Sequence, residues 1–212
     1  MIRSSKLRIM RIAELPKSSS LLLNIEVDSH GEYPTLSDPI ILIQVKPLTH
    51  NAIGISKIWE LKSEKAMIRE IISYLIRCEE YYKQPVELIG YNLMFDVTQI
   101  IGRGILLGLS LDHFNVFRRA YKKDLMQILM LLSDLRFRSL LSLAYDMGVP
   151  LPRSGREIPR LYREGRYDEI QEYILAEILA EEELWLRLND IVSIRSELLW
   201  DLYMKYILGA SS

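Results

Sequence analysis

Cysteine is almost absent from this sequence, with Cys78 the only one in 212 residues. A single thiol excludes an intrachain disulfide and a cysteine-based zinc site. The sequence also lacks a run of about 18 apolar residues, the length that a membrane-spanning helix needs. Residues 1–16 lack the apolar centre of a signal peptide. We therefore expect a cytoplasmic chain with no membrane segment.

Neither sign of charge dominates, because 27 Lys and Arg face 28 Asp and Glu, for a formal net charge of −1. Net charge therefore gives no indication of nucleic-acid binding, and any such site must be a local basic patch. The three histidines (His30, His50 and His113) show no metal-binding spacing, and no glycine-rich phosphate loop or nucleophile elbow is present. Abundant Ile, Leu, Glu, Arg and Lys are typical of heat-adapted proteins.

The order of hydrophobic patterns predicts an α/β fold in a single domain, residues 1–212, with its core at about 20–188. Strands are predicted at 21–28, 40–45, 53–61 and 86–91. Helices are predicted after Ser63, at 95–107, 124–132 and 140–147, from Asp168, and finally at 190–208. Three strands with no helix between them are best joined as antiparallel hairpins, and a later strand that follows a helix is then parallel. We expect a mixed sheet flanked by helices, with a helical C-terminal part.

Acidic residues fall at positions where such a fold gathers carboxylates. Glu26 lies on the polar face of an otherwise apolar strand, and Asp96 lies near the start of a helix. Tyr173 and Glu177 are one helical turn apart and share a face. Clustered carboxylates bind Mg²⁺ or Mn²⁺, and two such ions can hold both oxygens of a phosphodiester displacement.

Each of these residues also has a structural interpretation. Glu26 fits an exposed strand position, Asp96 fits a helix cap worth about 1 kcal/mol, and Tyr173 fits a packed aromatic. Glu177 and the glutamates that follow it fit the solvated side of a helix.

Four segments together resemble the 3′–5′ exonuclease domains of family B DNA polymerases, which have a ribonuclease-H-like fold. The segments are 22–34 with 38–41, 88–96, 124–125 with 139–148, and 167–177. The second segment, Gly-Tyr-Asn-Leu-Met-Phe-Asp, is one residue shorter between Asn92 and Phe95 than is usual in that family. The resemblance runs from about residue 21 to residue 188 and implies a ribonuclease-H-like mixed sheet.

The resemblance implies a catalytic set of Glu26, Asp96, Tyr173 and Glu177, with Mg²⁺ or Mn²⁺ as cofactor if the site is active. Asn24 and Glu177 stand where the family has aspartates. An amide is a poor bridge between two cations, and Glu is one methylene longer than Asp. Asn24 therefore occupies a metal-ligand position of the family but lacks the negative charge of the aspartate. Asp28 is a further candidate ligand, although about 13 Å of strand separates it from the position of Asn24.

Two groups of residues are candidates for contact with nucleic acid. Asn92 and Phe95 belong to the second segment of the resemblance. A series of arginines interleaved with Tyr162 precedes the third: Arg153, Arg156, Arg160, Arg163 and Arg166. Such residues neutralise phosphates and stack on bases. A second basic stretch, Arg118, Arg119, Lys122 and Lys123, fits an ordinary charged surface better.

Three hypotheses follow. In the first, a stand-alone exonuclease-fold protein binds single-stranded DNA or a primer 3′ end (or RNA), or a replication or repair partner, with little or no hydrolysis. In the second, it is an active metal-dependent 3′–5′ exonuclease. In the third, it is a structural or protein-interaction subunit, for which an apolar patch at Leu198, Leu199, Trp200 and Tyr203 is the candidate surface.

Overall fold

The computed structural model describes residues 7–31, 33–133 and 139–207, of which 131–133 and 190–207 are described by their backbone alone. Six strands form one sheet in the order β1-β4-β3-β2-β5-β6. The strands are β1 Arg8–Met10, β2 Ser20–Val27, β3 Ile40–Pro47, β4 Ala52–Lys57, β5 Glu87–Gly90 and β6 Tyr121–Asp124. The α-helices are α1 Ile58–Leu61, α2 Glu64–Tyr82, α3 Leu93–Leu106, α4 Asn115–Arg119, α5 Leu125–Ser133, α6 Leu140–Asp146, α7 Ile158–Arg163 and α8 Tyr167–Ile207. Single 3₁₀ turns occur at Ile12–Glu14, Leu111–Phe114 and Gly155–Glu157.

The sheet is mixed. β2, β3 and β4 pair as antiparallel neighbours, while β5 runs parallel to β2 and β6 runs parallel to β5. The prediction of an α/β fold with early hairpins, a later parallel strand and flanking helices is therefore confirmed. Since β2, β5 and β6 run in one direction, their carboxyl ends meet at one edge of the sheet, where α/β proteins usually bind ligands.

Two local predictions are wrong, one helix is displaced by a single residue, and two strands were not predicted. The strand expected at 53–61 ends at Lys57 and gives way to α1, which a left-handed Lys62 (φ 54°) terminates. The helix predicted at 124–132 is α5 Leu125–Ser133, because Asp124 ends strand β6 and caps that helix with its carboxylate. The edge strands β1 and β6 were not predicted, because one is three residues long and the other reads Tyr-Lys-Lys-Asp, without alternation. Asp190 starts no new helix, since α8 is continuous through it and no Gly or Pro interrupts the chain there.

Both faces of β2 are covered. Leu21, Leu23 and Ile25 pack in the core between the sheet and α2 and α3. Leu22 packs on the opposite face, in the core that includes residues of α6, α7 and α8. Asn24 and Glu26 share that second face by strand alternation, so they point towards α8 rather than towards solvent. Because α8 covers this face of β2, Asn24 and Glu26 lie beside the residues of α8 that belong to the candidate site.

Among the described helices, including the 41-residue α8, no segment is long and apolar enough to cross a membrane. The side chains of Leu198, Leu199, Trp200 and Tyr203, proposed above as an apolar patch, lie outside the described part of the chain.

Candidate acid cluster and adjoining cleft

Four carboxyl groups lie together at the carboxyl edge of the parallel strands, and we call them the acid cluster: Glu26, Asp96, Glu177 and Glu181. Glu26 lies near the end of β2, and Asp96 lies in the first turn of α3, which follows β5. The other two come from α8, where a spacing of four residues puts them on the face that Tyr173 also occupies. Strand direction and helical period thus bring together all four residues of the predicted catalytic set, together with Glu181.

Glu177 is the hub of the hydrogen bonds in the cluster. The Tyr173 hydroxyl donates to its Oε1 at 2.6 Å. The Asn24 side-chain amide donates to its Oε2 at 2.5 Å. The Gln44 amide approaches the same oxygen at 3.5 Å, and the carboxyl of Glu26 lies beside Glu177, which adds to the effect of burial in raising the pKa of Glu26. The carboxyl of Glu177 is therefore surrounded by neutral donors.

Asp96 is not a helix cap. Its Oδ1 accepts a hydrogen bond from the backbone N–H of Ile25 at 3.0 Å, and only 3% of the residue is exposed. Asn92, with a left-handed backbone (φ 61°), is the N-cap residue of α3. The side chain of Asp96 therefore ties α3 to β2 at the acid cluster.

Sequence reasoning missed Glu181 and the part played by Asp124. Glu181 is 2% exposed; its Oε1 accepts from the backbone N–H of Tyr91 at 3.2 Å, and its Oε2 has no hydrogen-bond partner among the described residues. The interpretation of this side of the helix as solvated is wrong at Glu177 and Glu181. The signal was the spacing, since Glu181 continues the Tyr173 and Glu177 stripe by one more turn.

Asp124 is a structural neighbour of the cluster. It is 5% exposed and ends β6. Its carboxylate accepts hydrogen bonds from the backbone N–H groups of Asn92, Met94, Met126 and Gln127, at 3.1, 3.3, 3.1 and 3.4 Å. These donors belong to the first turns of α3 and α5, so one carboxylate caps both helices.

Burial sets the electrostatics of the cluster. It raises the pKa of Glu26, Asp96 and Glu181 well above the usual range, and neighbouring negative charges raise these pKa values further. Burial also raises the pKa of Glu177, against the opposing effect of the hydrogen bonds from Tyr173, Glu26 and Asn24. Burial and the nearby Glu177 raise the pKa of Tyr173 as well, so its hydroxyl keeps its proton and remains a donor.

The cluster contains the type of ligand atom that Mg²⁺ and Mn²⁺ prefer, but the side chains are not arranged to bind such an ion. Carboxylate oxygens suit these ions. A carboxylate offers about four lone-pair sites, however, and three donors already point at Glu177. Asn24 directs its N–H rather than its oxygen at Glu177. Within the described ranges, no three His, Cys, Asp or Glu side chains are arranged to hold a metal ion. The residues as placed do not fit the metal that the resemblance implies.

Asp28, the other candidate ligand, pairs with α7 instead. The Arg163 Nε lies 3.2 Å from its Oδ1, and Arg163 Nη2 also donates to the carbonyl of Ser29 at 3.0 Å. These contacts fix α7 to the end of β2. Asp28 therefore helps to build the wall of the site.

A cleft of about 430 Å³ adjoins the acid cluster. Glu26 lines it on the cluster side, Phe95 and His30 line it from α3 and the loop after β2, and Gly155 lines it from the 3₁₀ turn before α7. Three of the predicted arginines also line it: Arg156, Arg160 and Arg163. Asn92 is exposed and is not among the lining residues.

Four of the five predicted arginines are already paired with acids. Arg163 pairs with Asp28 as described. The others form ion pairs at 2.8 Å (Arg153 with Glu169), 3.0 Å (Arg160 with Glu164) and 2.5 Å (Arg166 with Glu169). Arg156 is exposed and makes no ion pair with any described residue, which leaves it as the cation of this series best able to receive a phosphate.

The second basic stretch behaves as a charged surface. Arg119 pairs with Glu79 at 2.5 Å, and Lys123 pairs with Glu87 at 2.6 Å.

Comparison with known proteins identifies no family for this chain. No protein-family model matches the chain, and no curated protein matches it either. The acid cluster and the cleft therefore carry the functional argument by themselves.

Proposed function

We propose that this chain is a ribonuclease-H-like exonuclease-fold protein that binds the end of a single-stranded nucleic acid in the cleft, with little or no hydrolysis. The observation that carries the proposal is the composition of the cleft. One opening of about 430 Å³ brings Glu26 of the acid cluster together with Phe95 and Arg156.

The cleft offers the contacts that a nucleotide needs. Its volume lies in the range of sites for small organic ligands, about 300–1,000 Å³. Phe95 supplies an aromatic ring on which a base can stack, and Arg156 supplies a guanidinium for a phosphate. Arg156 is the one arginine lining the cleft that has no ion pair with a described residue, and on a chain of net charge −1 it gives modest affinity. Such a site suits a strand end better than a long duplex, which needs many phosphate contacts.

The contacts of Glu177 support the absence of hydrolysis. Phosphodiester cleavage in this type of site depends on cations held between carboxylates. Here Asn24 directs an N–H at Glu177 Oε2, and the Tyr173 hydroxyl donates to Oε1, so each oxygen of Glu177 already accepts a hydrogen bond. In this proposal the chain keeps the carboxylates of an exonuclease site without the donor arrangement that the chemistry requires.

Fluorescence anisotropy with a labelled single-stranded oligonucleotide at low salt tests the binding. Arg156→Ala should weaken binding and lower the slope of log K against log salt by about 0.7, the loss of one phosphate contact to a single strand. Arg69→Ala is the matched control, because Arg69 is also exposed and unpaired among the described residues but lies on α2, away from the cleft. It should leave the affinity unchanged.

Equal losses in the two variants would mean non-specific charge and would contradict a site in the cleft. An absence of binding to DNA and RNA at low salt would favour the structural-subunit hypothesis. Binding to a blunt duplex as tight as to a single strand would contradict the preference for a strand end.

A further inference from the structure

Gln44 lies where a glutamine is unexpected. It is fully buried on the central strand β3, in a run that is otherwise apolar from Ile40 to Val45. A buried amide is costly unless it is hydrogen-bonded. Its Oε1 nevertheless has no hydrogen-bond partner among the described residues. Its own hydrogen bonding therefore does not account for its burial.

The sheet register gives Gln44 a specific neighbour. Gln44 pairs directly with Asn24 across the antiparallel β2–β3 ladder, so the two side chains emerge on the same face. Both direct an amide N–H at one atom, Glu177 Oε2, at 2.5 Å from Asn24 and 3.5 Å from Gln44. Two positively polarised hydrogens thus converge on a buried carboxylate, as a cation would.

We propose that Asn24 and Gln44 form an amide pair that replaces a divalent cation in the acid cluster, so that both residues must change before the cluster binds one. Asn24 alone is not the determinant. If only Asn24 became an aspartate, the Gln44 amide would still approach Glu177 Oε2, and the strand register would keep it beside the new carboxylate. Gln44 is therefore a positioning residue that acts through Glu177. The inference rests on the part of the proposed function that concerns hydrolysis and is independent of nucleic-acid binding.

Thermal unfolding without nucleic acid, in EDTA or in excess MnCl₂, tests the proposal. The chains compared are wild type, Asn24→Asp, Gln44→Met and the double variant Asn24→Asp/Gln44→Met. Gln99→Met is the matched control, because Gln99 is also buried and its amide donates to the Thr35 carbonyl at 3.0 Å, outside the cluster. Because no oligonucleotide is present, the result is separable from failure of the binding proposal.

Mn²⁺ should leave the Tm of wild type and of Gln99→Met unchanged. It should raise the Tm of the double variant by roughly 5–10 °C at an Mn²⁺ concentration about 100-fold above Kd. Asn24→Asp alone should show less than half of that shift. Folding of the double variant only in the presence of Mn²⁺, followed by circular dichroism, would support the proposal equally.

Three results would overturn it. A Mn²⁺ shift in wild type that Asp96→Asn abolishes would show that the cluster binds a cation with both amides in place. A full shift in Asn24→Asp alone would remove Gln44 from the account. A folded double variant that ignores Mn²⁺ would show that the amides do not stand in for a cation. A double variant that folds under neither condition would also count against the proposal, because Mn²⁺ bound in the cluster should stabilise the fold.

Discussion

Raising the pH from about 5 to about 8 should lower the free energy of unfolding of this protein, through the acid cluster. Burial raises the pKa of Glu26, Asp96 and Glu181 well above its value in an unfolded chain. Below about pH 4 both states hold these protons, and the cluster has no effect on stability. Above that pH the native state keeps protons that the unfolded state releases. Stability therefore falls as the pH rises through the window between the unfolded and the folded pKa values.

The magnitude follows from the number of protons. Each proton that the native state holds in excess lowers the free energy of unfolding by about 1.4 kcal/mol per pH unit. Burial and the neighbouring Glu177 both raise the pKa of Glu26, so we expect the native cluster to hold at least one such proton. Over the first two pH units in which that proton stays bound, the loss is about 3 kcal/mol, a large part of a total stability of roughly 5–15 kcal/mol.

Urea unfolding at a series of pH values measures this slope, with Asp96→Asn as the informative variant. Asparagine keeps an oxygen for the Ile25 N–H and removes one titrating group from the cluster. The slope should therefore become shallower by up to about 1.4 kcal/mol per pH unit. Asp38→Asn is the control of opposite sign. The backbone N–H of Thr35 lowers the pKa of Asp38, so its stabilising contribution is present above about pH 4 and is lost as the pH falls.

Two results would refute this reasoning. A wild-type stability that rises from about pH 5 to pH 8 would mean that the cluster is not protonated in the native state. An unchanged slope in Asp96→Asn would mean that the pH dependence arises elsewhere.

Two further substitutions test the surroundings of the site. Asp124→Ala removes the cap of two helices and should lower the free energy of unfolding in urea by about 1–4 kcal/mol. Ser63→Ala removes one cap bond, to Ala66 on α2, and should lower it by about 1 kcal/mol. Equal losses in the two variants would contradict the double-capping role. Gly155→Ala puts a methyl 2.8 Å from the Tyr173 hydroxyl and should cost about 1–3 kcal/mol. Most of that cost should disappear in a Tyr173→Phe background, whereas additive costs in the double-mutant cycle would show that the methyl does not act through the hydroxyl.

The strands and helices with clear periodicity could be predicted from the sequence. Strand β2 shows what such a pattern can predict and what it cannot. Alternation from Leu21 to Val27 correctly separated its two faces. It indicated a polar face at Asn24 and Glu26, however, and the structure buries Asn24 against α8 and leaves Glu26 half-buried at the cleft. Local pattern reports which residues share a face, whereas burial depends on which distant element covers it.

For the same reason, parts of the candidate site could not be predicted from local sequence patterns. Gln44 lies in an apolar strand, and its role emerges only from the β2–β3 register that sets it beside Asn24. The arginines before α8 look alike in sequence. Their acidic partners include Asp28, which is distant along the chain, and this leaves Arg156 as the one without an ion pair among the described residues. Edge strand β6 carries two lysines and no alternation, so the position of Asp124 at its end was also hidden.

Digestion of a 5′-labelled single-stranded oligonucleotide with Mn²⁺ present, under conditions in which anisotropy shows the strand to be bound, tests the central claim most directly. Wild type and Asp96→Asn should both leave the strand at full length, because binding in the cleft does not depend on a metal-loaded acid cluster. Shortening from the 3′ end by wild type that disappears in Asp96→Asn would contradict the account and identify an active exonuclease.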